Sequence, residues 1–243
     1  MELLVPPVPH ACCPSTAHPH LSLGYVEKGY TQKLRDGIHV YVAGKAIDNS
    51  PQGASAIILI PDVWGWNGGR TRAIADLLVD SRVADYVVVP KLLVPPLDGG
   101  TDGDGLPPGF DLRTRGSEFL AWIQGRFDWP TTLKPTMHSV MKFTKAQGAT
   151  RIGVLGYCFG AMVSTLIAAE EPSVCCMVIS HPSLHFFQKA WGGPPPEAMA
   201  AKASHVPTLV QPAGDDLPTY GPEGWVRWHT LNFPFPFNSR IEE

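Results

Sequence analysis

The residues best suited to chemistry lie in the stretch Ile152–Met162, where Cys158 stands between two glycines in the order Gly-Tyr-Cys-Phe-Gly. The apolar run before this motif predicts a strand, and the segment Ala161–Ala169 after it predicts a helix. A nucleophile between glycines at a strand-to-helix turn is typical of a nucleophile elbow, here with cysteine where serine is usual. The alternative is a small buried apolar side chain, because unpaired cysteine is often buried.

The helix predicted after Cys158 bears on the reactivity of its thiol. Backbone N–H groups in the first turn of such a helix point towards the tip of the elbow. They favour a thiolate over a thiol and, during a reaction, they favour an oxyanion. The local pattern therefore predicts that Cys158 is a nucleophile.

The elements around the elbow alternate between strand and helix, with several strands that are apolar throughout. Strands are predicted at or near Tyr30–Leu34, Gly37–Ala43, Ala56–Ile60, Tyr86–Pro90, Ile152–Leu155, Cys175–Ser180 and Pro207–Gln211. Helices are predicted at Arg70–Asp80, Arg115–Ile123, Leu133–Gln147, Ala161–Ala169, Glu197–Ala203 and Trp225–Leu231. This alternation predicts the α/β class with a mostly parallel, doubly wound sheet, formed by residues 25–243 as a single domain.

Composition restricts the class of protein and of partner. Of the 243 residues, 44% are hydrophobic and 17% are charged, as in a globular protein with a large core. The net charge of -3 gives no basic surface for nucleic acid, and no apolar run is long enough to cross a membrane. The five cysteines, two pairs of them adjacent, argue against a disulfide framework and predict a reducing, cytoplasmic compartment.

Residues 1–24 contain three histidines and two cysteines among prolines and serines. Adjacent cysteines are poorly spaced for a tetrahedral metal site, so this segment is predicted to be an irregular N-terminal arm. The rest of the chain contains no glycine-rich phosphate loop and no convincing set of metal ligands. We therefore predict neither cofactor nor metal.

Three predicted strands are followed by chemically unusual groups: Asp62-Val-Trp-Gly, Tyr157-Cys-Phe and Gly214-Asp-Asp. In open α/β sheets, ligands bind at the carboxyl ends of the strands, so these groups are expected to meet at one edge. Their order and chemistry resemble those of the dienelactone hydrolase family of α/β hydrolases. The resemblance covers roughly residues 25–243, and it is the combination of motifs, with cysteine at the elbow, that makes it specific.

The resemblance implies a role for each matching position. Cys158 would attack an ester or lactone carbonyl and carry the acyl group. The backbone N–H groups of Phe159 and Val63 would hold the oxyanion. Asp62 falls where the family has an acidic residue, usually the longer glutamate, that interacts with the nucleophilic thiol.

The triad acid, which orients the catalytic histidine, best matches Asp216, with Asp215 as the alternative. Both residues are also compatible with an ordinary acidic turn that caps the next helix. The substrate pocket is expected to be shaped by the long loop Lys91–Asp111 and by Trp64, Trp66 and Phe159.

The histidine of the triad is the missing part. In the family it follows the acid in a His-Gly-Phe setting, but this sequence contains no His-Gly pair, and the corresponding position falls just beyond Glu243. The resemblance therefore implies a C-terminally truncated member, or an incomplete gene model, that lacks the last strand, loop and helix. Very slow or undetectable ester hydrolysis is then expected, with a thiol that is still reactive. His181 is expected to line the pocket, and it remains, with His229, an alternative base.

Two other functions compete with hydrolysis of a small ester or lactone. The first is a non-catalytic protein of the same fold that binds a ligand or a partner. The second is a thiol redox role for Cys158 with Cys175 or Cys176, which is disfavoured because those two lie in a strand predicted to be buried. The sequence indicates neither the substrate's identity nor the oligomeric state.

Overall fold

The structure, a computed structural model, describes residues 25–45, 53–68, 70–214, 216–221 and 224. The strands are β1 (Tyr30–Lys33), β2 (His39–Gly44), β3 (Ala54–Ile60), β4 (Tyr86–Pro90), β5 (Ala149–Tyr157), β6 (Val174–Ser180) and β7 (Thr208–Gln211). The α-helices are α1 (Thr71–Asp80), α2 (Gly116–Gln124), α3 (Lys134–Ala146), α4 (Phe159–Glu170), α5 (Leu184–Trp191) and α6 (Pro196–Lys202). A π-helical turn, Trp129–Leu133, leads into α3.

These strands form one sheet in the order β1-β2-β4-β3-β5-β6-β7. Strands β3 to β7 run parallel, and β1 and β2 form an antiparallel pair that joins the sheet through β4. Parallel strands need crossover connections, and helices supply them here. The prediction of a mostly parallel sheet is confirmed.

Side chains of the central strands alternate between two hydrophobic cores, one on each face of the sheet. In β3, Ile58 and Ile60 join the core that packs under α2 to α6, whereas Leu59 joins the core under α1. Successive side chains of a strand point to opposite faces, so a continuous apolar run is required wherever both faces are covered. This arrangement is the doubly wound architecture that the sequence predicts.

Two features of the structure correct the sequence-based expectations. Cys175 and Cys176 of β6 are exposed, because the register with β5 shifts at Cys175 and because α1, which packs on β2 and β4, does not extend over β6 in the part of the chain described. The helix α5 was not predicted, yet it buries Leu184, Phe187 and Ala190 on one face, at the spacing of an amphipathic helix. Element boundaries otherwise differ by a few residues; α4, for example, begins at Phe159, directly after the elbow.

Several expectations concern residues outside those described. They are the irregular arm 1–24, the helix Trp225–Leu231 with His229, the alternative acid Asp215, and the expected absence of a last strand, loop and helix. Among the described helices, none combines the length and the apolar character needed to cross a bilayer.

Candidate active site

Cys158 occupies a strained turn between β5 and α4. Its backbone has φ 52° and ψ -113°, a region that residues with a side chain rarely adopt. Its N–H donates to the carbonyl of Ser180 at 3.0 Å, and its carbonyl accepts from the N–H of Ala161 at 3.0 Å. Strain that is held by surrounding hydrogen bonds in this way is common at functional sites.

The two glycines of the elbow are required by close backbone contacts. A Cβ on Gly156 would lie 2.2 Å from the carbonyl oxygen of Gly160 and 2.4 Å from Oγ of Ser164. A Cβ on Gly160 would lie 2.2 Å from the carbonyl oxygen of Ile60 and 2.5 Å from that of Pro61. The start of α4 therefore lies directly against the end of β3, and this contact brings the loop after β3 beside Cys158.

Two backbone N–H groups with a predicted role in oxyanion binding lie at this contact. Phe159 is the first residue of α4, and the first N–H groups of a helix have no acceptor within it. Val63 lies in the loop after β3, and its carbonyl accepts from the N–H of Leu106 at 2.9 Å, which holds the orientation of this loop. Both side chains are buried.

Asp62 lies in the same loop and is partly buried. Its Oδ1 accepts from the N–H of Trp64 at 2.8 Å. Burial raises the pKa of this carboxyl group to about 6, while the N–H of Trp64 and the charge of His181 oppose the rise. Asp62 is therefore close enough to His181 for the two charges to interact.

Asp104, a fully buried residue that the sequence reasoning missed, joins the long loop Lys91–Asp111 to the loop after β3. One carboxyl oxygen accepts from the N–H of Trp66 at 2.7 Å, and the other accepts from the N–H of Leu93 at 2.6 Å. Burial raises the pKa of Asp104 to about 6, and these two hydrogen bonds counteract part of that rise. The long loop is thus held in place by a buried carboxyl group.

His181 follows β6 immediately and pairs with Asp216. Its Nδ1 lies 2.6 Å from Oδ1 of Asp216, whose side chain is only 7% exposed. The other oxygen of Asp216 accepts from the N–H of Ala213 at 2.7 Å, so the loop after β7 holds the carboxylate in position. His181 itself has a positive φ of 49°, and its N–H donates to the carbonyl of Gln211 at 2.8 Å.

Two further groups complete the surroundings of the thiol and the imidazole. Oγ of Ser183 lies 3.3 Å from Sγ of Cys158, within hydrogen-bonding distance. His185 places its backbone N–H and its Nδ1 each 3.0 Å from the hydroxyl of the buried Tyr220. Burial lowers the pKa of His185, and the charges of Lys189 and His181 lower it further, whereas that of Asp216 raises it.

The structure gathers most of the predicted site residues at one edge of the sheet. Those that lie there are Cys158, Phe159, Asp62, Val63, Trp64, His181 and Asp216. Trp66, in contrast, packs on the other side of its loop, where its ring lies 4.3 Å from the guanidinium carbon of Arg72. Asp104 had one signal in the sequence, an aspartate between two glycines, and both glycines adopt positive φ.

A separate cleft of about 300 Å³ lies at the opposite end of α4. Its lining includes Trp129, Thr165, Ala169, Phe187 and Met199, and none of the site residues named above. Within the described ranges, no group of three or more histidine, cysteine or acidic side chains is arranged to hold a metal ion.

Comparison with known proteins finds one matching family model and several curated relatives. The model of the dienelactone hydrolase family matches residues 38–223. A carboxymethylenebutenolidase homolog of Xenopus tropicalis is 28% identical over 134 residues, which cover 54% of this chain and 48% of the relative. A homolog of the same name in Rattus norvegicus is 25% identical over 164 residues, covering 67% of this chain and 58% of the relative. The chain thus spans about half the length of the curated relatives it matches.

Among solved structures, a Klebsiella pneumoniae protein assigned as a dienelactone hydrolase aligns with a TM-score of 0.49 and 14% identity. The alignment covers 63% of this chain and 59% of that one.

A mostly parallel sheet with a strained strand-to-helix turn at Cys158, directly after β5, is typical of the α/β hydrolase fold. Within that class, the chain belongs to the dienelactone hydrolase family, because the family model covers more than half of its length. The resemblance stated from the sequence is confirmed, and membership of this family supports a hydrolase.

Proposed function

We propose that this chain hydrolyses small carboxylic esters or lactones through an acyl thioester on Cys158. The observation that carries the proposal is the backbone of Cys158, held at φ 52° at the start of α4. In this position the thiol faces the N-terminal end of a helix, where a thiolate is favoured. A structural cysteine in a hydrophobic core has no need of such a strained turn.

The proposed reaction uses the backbone around the elbow. Sγ of Cys158 attacks the carbonyl carbon, and the N–H groups of Phe159 and Val63 donate to the oxyanion that forms. Collapse of the tetrahedral intermediate breaks the ester C–O bond and leaves the acyl group on sulfur. Water then attacks the thioester, releases the acid and restores the thiol. Trp64 and His181 are proposed to line the substrate pocket.

Without a histidine acting on Cys158, the rate of this reaction is proposed to be low. Residues 1–243 contain no His-Gly-Phe, the setting in which the family's catalytic histidine is found. Loss of the base of a triad costs several powers of ten in rate, whereas oxyanion binding persists. The proposal therefore predicts acylation of the thiol that is easier to detect than turnover. A thiol nucleophile also fits the predicted cytoplasmic compartment, where cysteines stay reduced.

The test is intact-mass spectrometry of the protein after incubation with p-nitrophenyl acetate or with a small lactone. The wild type is expected to gain one acyl group, and Cys158→Ala is expected to gain none. Cys175→Ala is the matched control, because this exposed thiol lies at the other end of β6 and should not affect acylation of the elbow.

The alternative, a non-catalytic binding protein, makes a different prediction. In that case a bound ester or lactone would be retained intact, and its affinity would be the same in the wild type and in Cys158→Ala. Equal acylation of Cys158→Ala and the wild type would also contradict the proposed nucleophile.

A further inference from the structure

The histidine at the end of β6 lies beside the proposed nucleophile. Strands β5 and β6 are parallel neighbours, with Tyr157 opposite Ser180, the last residue of each. Cys158 and His181 are the next residues, and the N–H of Cys158 still donates to the carbonyl of Ser180. Neighbouring strands are about 4.8 Å apart, so the two residues leave the sheet side by side at the same edge.

Asp216 determines which ring nitrogen of His181 can accept a proton. Its carboxylate lies 2.6 Å from Nδ1, and this proximity favours the tautomer of the neutral ring that carries its proton on Nδ1. Nε2 is then the basic nitrogen. Asp216 follows β7 and His181 follows the adjacent strand β6. The carboxylate of Asp216 also accepts from the N–H of Ala213, and the N–H of His181 donates to the carbonyl of Gln211.

The charged groups around His181 favour its protonated form, the imidazolium. The facing ionisable groups are Asp216 from the loop after β7, Asp62 from the loop after β3, and His185 from α5, in addition to Cys158 itself. The two carboxylates stabilise a proton on His181, and a charged His185 opposes it. Partial burial lowers the pKa of His185 and so favours its neutral form, which leaves the two carboxylates as the stronger influence on His181.

We propose that His181 is the general base for Cys158 and that Asp216 is its positioning residue. This inference rests on the proposed function, because it names the group that activates the same nucleophile. It favours the alternative left open by the sequence, His181 as base, over the expectation that His181 lines the pocket. His181 adopts a left-handed backbone, a conformation that is unfavourable for its side chain and that the hydrogen bond to Gln211 maintains.

The proton moves in a closed cycle. Nε2 of His181 takes the thiol proton of Cys158 as the S–C bond forms, and it gives this proton to the leaving alkoxide as the C–O bond breaks. In the second half, Nε2 takes a proton from the attacking water, and this proton returns to sulfur as the C–S bond breaks. The hydroxyl of Ser183, 3.3 Å from Sγ, can donate to the thiolate in between.

The experiment measures the rate of acylation of Cys158 by p-nitrophenyl acetate in single-turnover conditions. His181→Asn is the chosen variant, because asparagine tolerates a positive φ better than most residues while it provides no base. We expect a rate about 100- to 10,000-fold lower, the usual contribution of a general base. His138→Asn, an exposed histidine on α3, is the matched control and is expected to react at the wild-type rate.

A second variant addresses the case in which His181→Asn does not fold. Asp216→Asn removes the negative charge that stabilises the imidazolium, so the pKa of His181 should fall. The rate of acylation rises with pH as the base loses its proton, and this rise should therefore move to lower pH in Asp216→Asn. A pH profile with an unmoved midpoint would overturn the role of Asp216.

Failure of the inference and failure of the proposed function are distinguishable. If folded His181→Asn is acylated at the wild-type rate, His181 is not the base, and Cys158 can still be the nucleophile. If the wild type itself is not acylated, or if Cys158→Ala is acylated equally well, the proposed function fails and this inference fails with it.

Discussion

Replacement of Gly160 by alanine tests the contact that joins the elbow to the loop after β3. The new Cβ would lie 2.2 Å from the carbonyl oxygen of Ile60 and 2.5 Å from that of Pro61. Both are backbone atoms, and Ile60 is held in register opposite Gly156 of β5, so no flexible side chain can move away. The start of α4 must move instead, away from the end of β3.

The expected cost follows from two opposing effects. Overpacking typically costs about 1–3 kcal/mol, and a clash with two fixed carbonyl groups should fall at the upper end of that range. Alanine also gains up to about 1 kcal/mol over glycine through helix propensity. Gly116→Ala isolates this second effect, because Gly116 begins α2 and a Cβ there would meet nothing within 4 Å.

The assay is thermal and urea denaturation of Gly160→Ala and Gly116→Ala, compared with the wild type. The difference between the two variants should be about 2–3 kcal/mol, with Gly160→Ala the less stable. For a chain of this size, that difference corresponds to roughly 4–12 °C in Tm. Equal stability of the two variants would refute the reasoning, because it would mean that α4 and β3 separate at little cost.

Two buried charged residues give further predictions. Burial raises the pKa of Asp104 from an ordinary value of 3.8 to about 6, so its ionisation destabilises the fold as pH rises between those values. Relative to Asp104→Asn, the free energy of unfolding of the wild type should therefore fall by about 3 kcal/mol as pH rises through this window, as measured by urea denaturation. A difference between the two proteins that does not change with pH would contradict the raised pKa of Asp104. Arg72 is 4% exposed and contacts Glu27 and Asp102 at 2.8 Å each, so Arg72→Ala should cost about 2–4 kcal/mol through lost packing and ion pairs. Arg113 forms an exposed ion pair with Asp111, and Arg113→Ala should change the free energy of unfolding by less than about 0.5 kcal/mol. Equal losses in Arg72→Ala and Arg113→Ala would show that burial of Arg72 is not the cause of its larger effect.

The elbow could be predicted from the sequence because its determinants are local. A strand, a turn that needs two small residues and a helix follow one another within a short stretch around Cys158. The structure adds the reason for each glycine: Gly156 contacts the turn itself, and Gly160 contacts the end of β3. The buried strands were predictable for a similar reason, because a strand covered on both faces must be apolar throughout.

Two parts of the site could not be predicted in this way. Asp104 lies in a glycine-rich loop, where an aspartate usually faces solvent, and only the folded structure shows that its two oxygens accept from the N–H groups of Trp66 and Leu93. The exposure of Cys175 and Cys176 depends on which strands the helices cover, and the apolar pattern of β6 carries no information about that. Each depends on contacts between residues that are distant in the chain.

The sequence alone determined the family, the parallel sheet, the position of the elbow and the set of acidic groups at the ends of its strands. Local patterns suffice for these because the hydrophobic period and the turn residues belong to single elements, and the order of the motifs is the order of the chain. The tertiary structure alone decided which histidine meets Asp216. That pairing depends on the adjacency of β6 and β7 and on the direction in which their loops leave the sheet, and it brings His181 to the side of Cys158.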